Sequence, residues 1–221
     1  MAKKIYLSPS SQDANAYSYG DTFESEQCRR ISAATAEALK RCGFEVKNAS
    51  YGTMYSRVAE SNEWGSDLHV PIHTNAFNEK VTGTRIMCYD LSGEGYKASK
   101  AVFDVLAPIT PGISENITAQ PGLYEIKKST APCVYVEVDF HDVPEIAQWI
   151  IENTVVIGEA ICKGICNYYG VKYVEPAADK EPDVFYRVQV GAFTKKQYAD
   201  IVARNLQDAG YKDAFVVQVK K

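Results

Sequence analysis

Three short stretches carry residue types that could do chemistry. The first is Asp67-Leu68-His69-Val70-Pro71-Ile72-His73-Thr74-Asn75-Ala76, where His73 ends an apolar run and small polar residues follow at once. The C-terminal end of a sheet strand is where α/β proteins place ligands and catalysts, so His73 is a candidate metal ligand or acid–base group. A histidine that merely hydrogen-bonds at a strand end is the plainer reading. The second stretch is Val134-Tyr135-Val136-Glu137-Val138-Asp139-Phe140, in which Glu137 and Asp139 point to one side of an otherwise apolar strand. A carboxylate there is costly unless it is paired, bound to metal or catalytic. Function is favoured for Glu137 over a structural salt bridge.

The third stretch is Asp21-Thr22-Phe23-Glu24-Ser25-Glu26, at the start of a helical pattern whose apolar stripe is Cys28, Ile31, Thr35, Ala38, Leu39 and Cys42. Stepping back four residues from Cys28 puts Glu24 on the inward face, whereas Glu26 joins Arg30, Glu37 and Arg41 on the charged face. Of the two glutamates, Glu24 is the one aimed inward.

The elements that must position these groups alternate along the chain. Strands are expected at Ile5–Leu7, Phe44–Val46, Asp67–Ile72, Gly83–Tyr89 and Cys133–Phe140. Helices are expected at Phe23–Cys42, Thr53–Trp64, Gly95–Leu106 and Pro144–Tyr169, the last broken near Asn153. Such interleaving predicts an α/β fold, a central and mostly parallel sheet with helices on both faces. Residues 175–183 are polar, hold two prolines and lack periodicity, so they read as a linker between a catalytic domain at 1–174 and a small unit at 184–221. That unit reads as βαβ: a strand at 185–193, a helix at 195–209 and a strand at 214–219, too small for a robust core of its own.

Bulk properties narrow the function. With 221 residues there is room for one sizeable domain and a small appendage. A net charge of −4 gives no electrostatic case for nucleic acid or an anionic membrane. No run approaches the ~20 apolar residues of a membrane span. The N-terminus has no apolar stretch of signal-peptide length, so synthesis in the cytoplasm is expected, unless a signal has been removed. The six cysteines show no Cys-x-x-Cys spacing and read as buried thiols from a reducing compartment.

In order and type, these signals resemble the zinc-dependent N-acetylmuramoyl-L-alanine amidases, which include many phage endolysins. The likeness covers residues 4 to about 170. It rests on Leu7-Ser8-Pro9, on Glu24 at a helix start, on Ile72-His73-Thr74-Asn75 and on Val136-Glu137-Val138-Asp139-Phe140. The resemblance implies Zn2+ bound by Glu24 and His73, Glu137 as the catalytic carboxylate, and peptidoglycan as substrate, both its glycan strand and its stem peptide. Zinc with three protein ligands leaves a position for water and lowers that water's pKa to about 7. A nearby carboxylate can then move the proton from water to the leaving nitrogen. Asn75 is expected either to steady the loop behind His73 at the substrate or to make a turn.

The pattern departs from the family at one place. Its first zinc ligand is a histidine in a Pro-Gly-His-Gly loop, where this chain reads Pro9-Ser10-Ser11-Gln12-Asp13 with Ser11 at that position. Four substitutes stand open: Gln12 in the same loop, His69 about 13 Å back along the strand, His141 beyond the Glu137 strand, and water. Two other functions therefore stay in view, a wall-binding protein that no longer cleaves and a zinc peptidase acting on the stem peptide.

Tyr186-Arg187-Val188-Gln189-Val190-Gly191-Ala192-Phe193 resembles the opening of the sporulation-related repeat, a module associated with cell-wall glycan, of which this chain would hold one half. Tyr186, Phe193 and Tyr211 could stack on sugar rings, although strand aromatics also serve as core. The expected place of action is the cell wall, reached by lysis or through a holin.

Overall fold

The computed structural model describes residues 2–49, 51–177 and 188–219. The chain divides into two compact units between Pro176 and Ala177. The first unit is built on a six-stranded sheet. Its strands are β1 (Lys4–Pro9), β2 (Glu45–Asn48), β3 (Leu68–Asn75), β4 (Arg85–Cys88), β5 (Asn116–Ala119) and β6 (Tyr135–Phe140), in the order β2-β1-β3-β6-β4-β5. All neighbouring pairs are parallel except β4–β6, which is antiparallel. This is the α/β architecture expected from the alternating pattern, with one reversed edge.

Helices cover both faces because alternate residues of the central strands are apolar toward one side and mixed toward the other. Ile5 and Leu7, Val70 and Ile72, and Val134, Val136 and Val138 join the main core with α1 (Glu24–Arg41), α3 (Glu94–Leu106) and α6 (Thr154–Tyr169). The intervening residues Tyr6, Ser8, His69, His73, Tyr135 and Glu137 belong to the opposite face. That face carries α2 (Met54–Trp64) and the short α4 (Tyr124–Lys128), with Tyr6 Oη donating to Glu60 of α2 at 2.6 Å. α5 (Pro144–Glu152) follows β6 and ends at Asn153, whose side-chain amide donates to Trp149 O at 2.8 Å, so the expected break is a real one.

α6 is the middle helix of its layer, packed against α1 on one side and α3 on the other. Two of its residues make this close approach possible. A Cβ added at Gly158 would meet Ala34 Cβ of α1 at 2.7 Å, and one added at Gly164 would meet Val102 Cα of α3 at 2.4 Å.

Two elements were not expected from the sequence: β5 and α4, of four and five residues. The second unit holds α7 (Lys196–Asp208), which has no buried residue. Segments 188–193 and 214–219, read as strands from the sequence, form no strand among the described residues, and Tyr186 lies outside them. Of the expected βαβ unit the described residues show the helix, and residues 185–187 of the first expected strand lie outside them.

Candidate active site

Glu24 is the first residue of α1 and is 1% exposed, whereas the Glu26 side chain is half-exposed and paired with Arg30 at 2.6 Å. The loop before the helix folds back so that Glu24 N donates to Asn15 O at 2.9 Å. The positive end of the helix dipole favours a carboxylate at this position. Glu24 Oε1 accepts from His73 Nδ1 at 2.8 Å, and Oε2 accepts from Asn15 Nδ2 at 2.8 Å. Burial pushes the Glu24 carboxyl up, but the hydrogen bonds and charge of His73, with Asn15 and Ser10, outweigh it and hold it below the usual range. Burial likewise pulls His73 down. The Glu24 hydrogen bond and the charges of Glu137 and Glu24 more than offset this and raise its pKa.

β3 and β6 run side by side with His73 opposite Glu137, and the register slips just beyond, between His73 and Asn75. Tyr135, two residues before Glu137, stacks its ring on His73 at 4.7 Å between centroids. The Glu137 carboxylate is short of partners: Oε2 is buried and accepts no hydrogen bond among the described residues. Burial raises its pKa to about 7, with the charge of His73 pulling it down and that of Glu24 adding to the rise. A buried carboxylate on β6 whose pKa is raised to about 7 can both accept and return a proton.

The other carboxylate of β6 has a different task. Asp139 Oδ1 accepts from Gly83 N at 2.6 Å and Phe140 N at 2.8 Å, and Oδ2 accepts from Gly112 N at 3.1 Å. It ties together two loops beside the site.

The structure also sorts the substitutes for the missing histidine. Gln12 Nε2 lies 3.5 Å from Glu24 Oε1, and Gln12 Oε1 accepts from Asn15 at 2.8 Å, so this amide stands beside the Glu24–His73 pair. His69 does not: Nδ1 meets Ser61 Oγ at 3.0 Å and Nε2 meets Glu125 Oε1 at 3.2 Å, with both ring nitrogens engaged away from Glu24. His141 stacks on Tyr17 at 4.7 Å, and its Nδ1 meets Thr74 Oγ1 at 2.9 Å, so that nitrogen is engaged with the residue after His73. Asn75 Oδ1 accepts from the Ala76 N–H at 2.8 Å, the turn geometry, and its side chain lines a small hollow with Phe77, Val81, Arg85 and Phe140.

Sequence reasoning missed Asn15, Tyr135 and Glu125. Asn15 sits in an irregular loop with no periodicity to mark it. Glu125 is buried on α4, where its Oε1 accepts from Ser8 Oγ at 2.7 Å and meets His69.

The residues fit a divalent cation of zinc's kind. An imidazole and a carboxylate are in contact, an amide side chain is adjacent, and a buried carboxylate oxygen beside them lacks a partner.

Residues 9–167 match the family described as N-acetylmuramoyl-L-alanine amidase. No curated protein matches the chain. Among solved structures, the catalytic domain of CwlV, an N-acetylmuramoyl-L-alanine amidase from Bacillus (Paenibacillus) polymyxa var. colistinus, superposes with a TM-score of 0.69 at 16% identity, over 77% of this chain and 99% of that one. The N-acetylmuramoyl-L-alanine amidase AmiC2 of Nostoc punctiforme gives 0.69 at 21% identity, over 76% and 97%. The catalytic domain of the CD27L endolysin targeting Clostridia difficile gives 0.64 at 19% identity, over 75% and 97%. These likenesses show a shared fold. With the family match spanning most of the sequence, the chain belongs to the N-acetylmuramoyl-L-alanine amidase family of peptidoglycan hydrolases.

Proposed function

We propose that this protein cleaves the amide between N-acetylmuramic acid and L-alanine in peptidoglycan, with Glu137 as the proton-transfer group. The observation that carries the reading is the Glu137 carboxylate. It is buried, lacks a partner at Oε2, has its pKa raised to about 7 and lies in register with His73, which is bonded to Glu24.

Glu24 and His73 would hold Zn2+, with Gln12 the nearest candidate for the third place. When bound, the metal supplies an activated water and polarises the scissile carbonyl. The chain's own residues do the remaining work. Glu137 takes the proton from the attacking water and returns it to the leaving nitrogen, and a pKa near neutrality suits both directions. Asn15 fixes Glu24 through Oε2, and Tyr135 shields one face of the His73 ring. Asn75 and the hollow it lines offer a subsite for the substrate next to the reacting atoms.

We take residues 1–174 as the catalytic domain, 175–183 as the linker and 184–221 as a wall-binding appendage related to the sporulation repeat. The exposed aromatics Phe193 and Tyr211 support sugar stacking there, and Tyr186 is proposed to join them. Action at the cell wall follows from that substrate. No helix among the described residues is long and apolar enough to cross a membrane.

The test is digestion of purified peptidoglycan by the wild type and Glu137→Gln, read by mass spectrometry. The wild type should release stem peptides with a free L-alanine amine. Glu137→Gln should lose about 10²–10⁴-fold in rate with its zinc content kept. A new amine inside the stem peptide would assign a peptidase. Ser11 at the family's histidine position favours a second reading, a binder without hydrolysis. Wall binding by the wild type with no released product would support that one.

A further inference from the structure

A second group of metal-ligating side chains lies far from the catalytic face. Cys42 caps the C-terminus of α1, and Cys162 and Cys166 stand on successive turns of α6. The Cys162 sulfur is 3.8 Å from that of Cys42 and 4.0 Å from that of Cys166, and all three lie within 4.8 Å of one another. All are buried and none is in a disulfide. The remaining cysteines, Cys28, Cys88 and Cys133, do not enter the group.

The spacing is compatible with a shared ion as well as with S–H···S hydrogen bonds. Thiolates at the usual 2.3 Å from a tetrahedral zinc are separated by about 3.8 Å, the edge of the coordination tetrahedron. A disulfide would need the sulfurs at about 2.05 Å. Burial pushes the Cys162 and Cys166 thiols up, toward the neutral form, and two neighbouring groups act against it. The Val174 N–H donates to Cys42 Sγ at 3.3 Å. Arg41, next to Cys42, donates through Nε to Val174 O at 2.9 Å and pairs with Glu159 at 2.5 Å, bringing a cation to the edge of the cluster.

We propose that Cys42, Cys162 and Cys166 form a structural site for a thiophilic metal ion, Zn2+ in the first instance. Three thiols release three protons as the dication binds, leaving a complex of net charge −1 near Arg41 and the Val174 N–H. Soft thiolate donors exclude Mg2+ and Ca2+ and select zinc or Cu+. The ion would join the end of α1, the middle of α6 and the segment leaving the catalytic unit. Glu24 lies 18 residues away at the other end of α1, about 27 Å along the helix axis, so the two metal sites are independent.

The test is anaerobic titration of the reduced, metal-free, full-length protein with Co2+, whose thiolate complexes show charge-transfer absorption in the near ultraviolet. The expected result is a band that saturates by two equivalents in the wild type, is bleached by Zn2+, is lost in Cys162→Ala, and is kept in Glu24→Ala and His73→Ala, where it saturates near one equivalent. No band in the folded wild type, or a band surviving in Cys162→Ala, would overturn the site. Metal counting covers the case in which that variant does not fold: a Glu24→Ala/His73→Ala double variant, which keeps all three thiols, should still hold about one zinc per chain after dialysis. A folded double variant that retains no zinc also overturns the proposal.

Discussion

His73 Nδ1 lies 2.8 Å from Glu24 Oε1, a contact that joins the end of β3 to the first residue of α1 across 49 positions of sequence. Glu26, two residues on, takes no part and pairs with Arg30 instead. Glu24→Ala should therefore lower zinc affinity by more than the roughly 10–100-fold typical of losing an outer partner, while Glu26→Ala should barely change it. Isothermal titration with zinc, in a Cys162→Ala background to remove the thiol site, makes the comparison. Equal losses would mean that Glu24 is no ligand.

Gln12, His69 and His141 should separate by how their loss depends on metal. Gln12→Ala should lose zinc affinity together with the chelator-sensitive part of its melting temperature, because a metal bound only by the folded state stabilises it. His69→Ala should lose stability equally with and without chelator, since its ring nitrogens hold Ser61 and Glu125. His141→Ala should behave like His69→Ala, given its stacking on Tyr17. Ser11→His should raise zinc affinity. A chelator-dependent loss in His69→Ala would reverse the assignment.

Glu125 gives a pH signature. Burial raises its pKa, but hydrogen bonds from His69 and Ser8 outweigh this and hold it below the usual value of 4.5. A depressed folded-state pKa contributes stability above the unfolded value, lost as pH falls through the folded one. Glu125→Gln should cost about 1–3 kcal/mol at pH 7. The gap between wild type and variant should then narrow as the pH drops below about 4.5. Urea midpoints at several pH values read this directly, and a gap constant with pH would contradict it.

Asp139 should be structural. Asp139→Ala strands three backbone N–H donors and should cost about 3 kcal/mol. Gly112→Ala should be as damaging, because its Cβ would meet Gly83 N at 2.0 Å. Both should lower the denaturant midpoint with little change in slope. Full stability in either variant would show that the two loops are not held through Asp139.

Ending the chain after Pro176 should keep hydrolysis of soluble muropeptides and weaken binding to intact wall, since the first compact unit ends there. A pull-down on purified sacculi and a muropeptide assay give the two readings. Unfolding of the shortened protein would mean that the tail serves packing.

The sequence exposed those parts of the fold where hydrophobic period and length agree. α1, β3 and β6 each bury a side long enough for the 3.6- or 2-residue repeat to show. β5 and α4 escaped because four or five partly buried residues hold no full period. The reversal of β4 is a choice of partner, which no local pattern encodes. At the site, helical phase singled out Glu24 and a strand end singled out His73. Asn15 reaches Glu24 from an irregular loop nine residues upstream, and Glu125 reaches His69 only through long-range folding, so no local pattern marks either. His69 shows the converse: sharing the strand face of His73 made it a candidate ligand, and the fold gave its nitrogens to Ser61 and Glu125.

The two glycines of α6 carry a consequence for redesign. Gly158 sets the distance to α1 and Gly164 the distance to α3, so one helix acts as a shared gauge for both neighbours. Enlarging either residue pushes on a helix that the other glycine still holds close, and the strain cannot be relieved by sliding α6 sideways. Improvements to the α1 side and the α3 side of this layer are therefore coupled, and stabilising substitutions there should be non-additive.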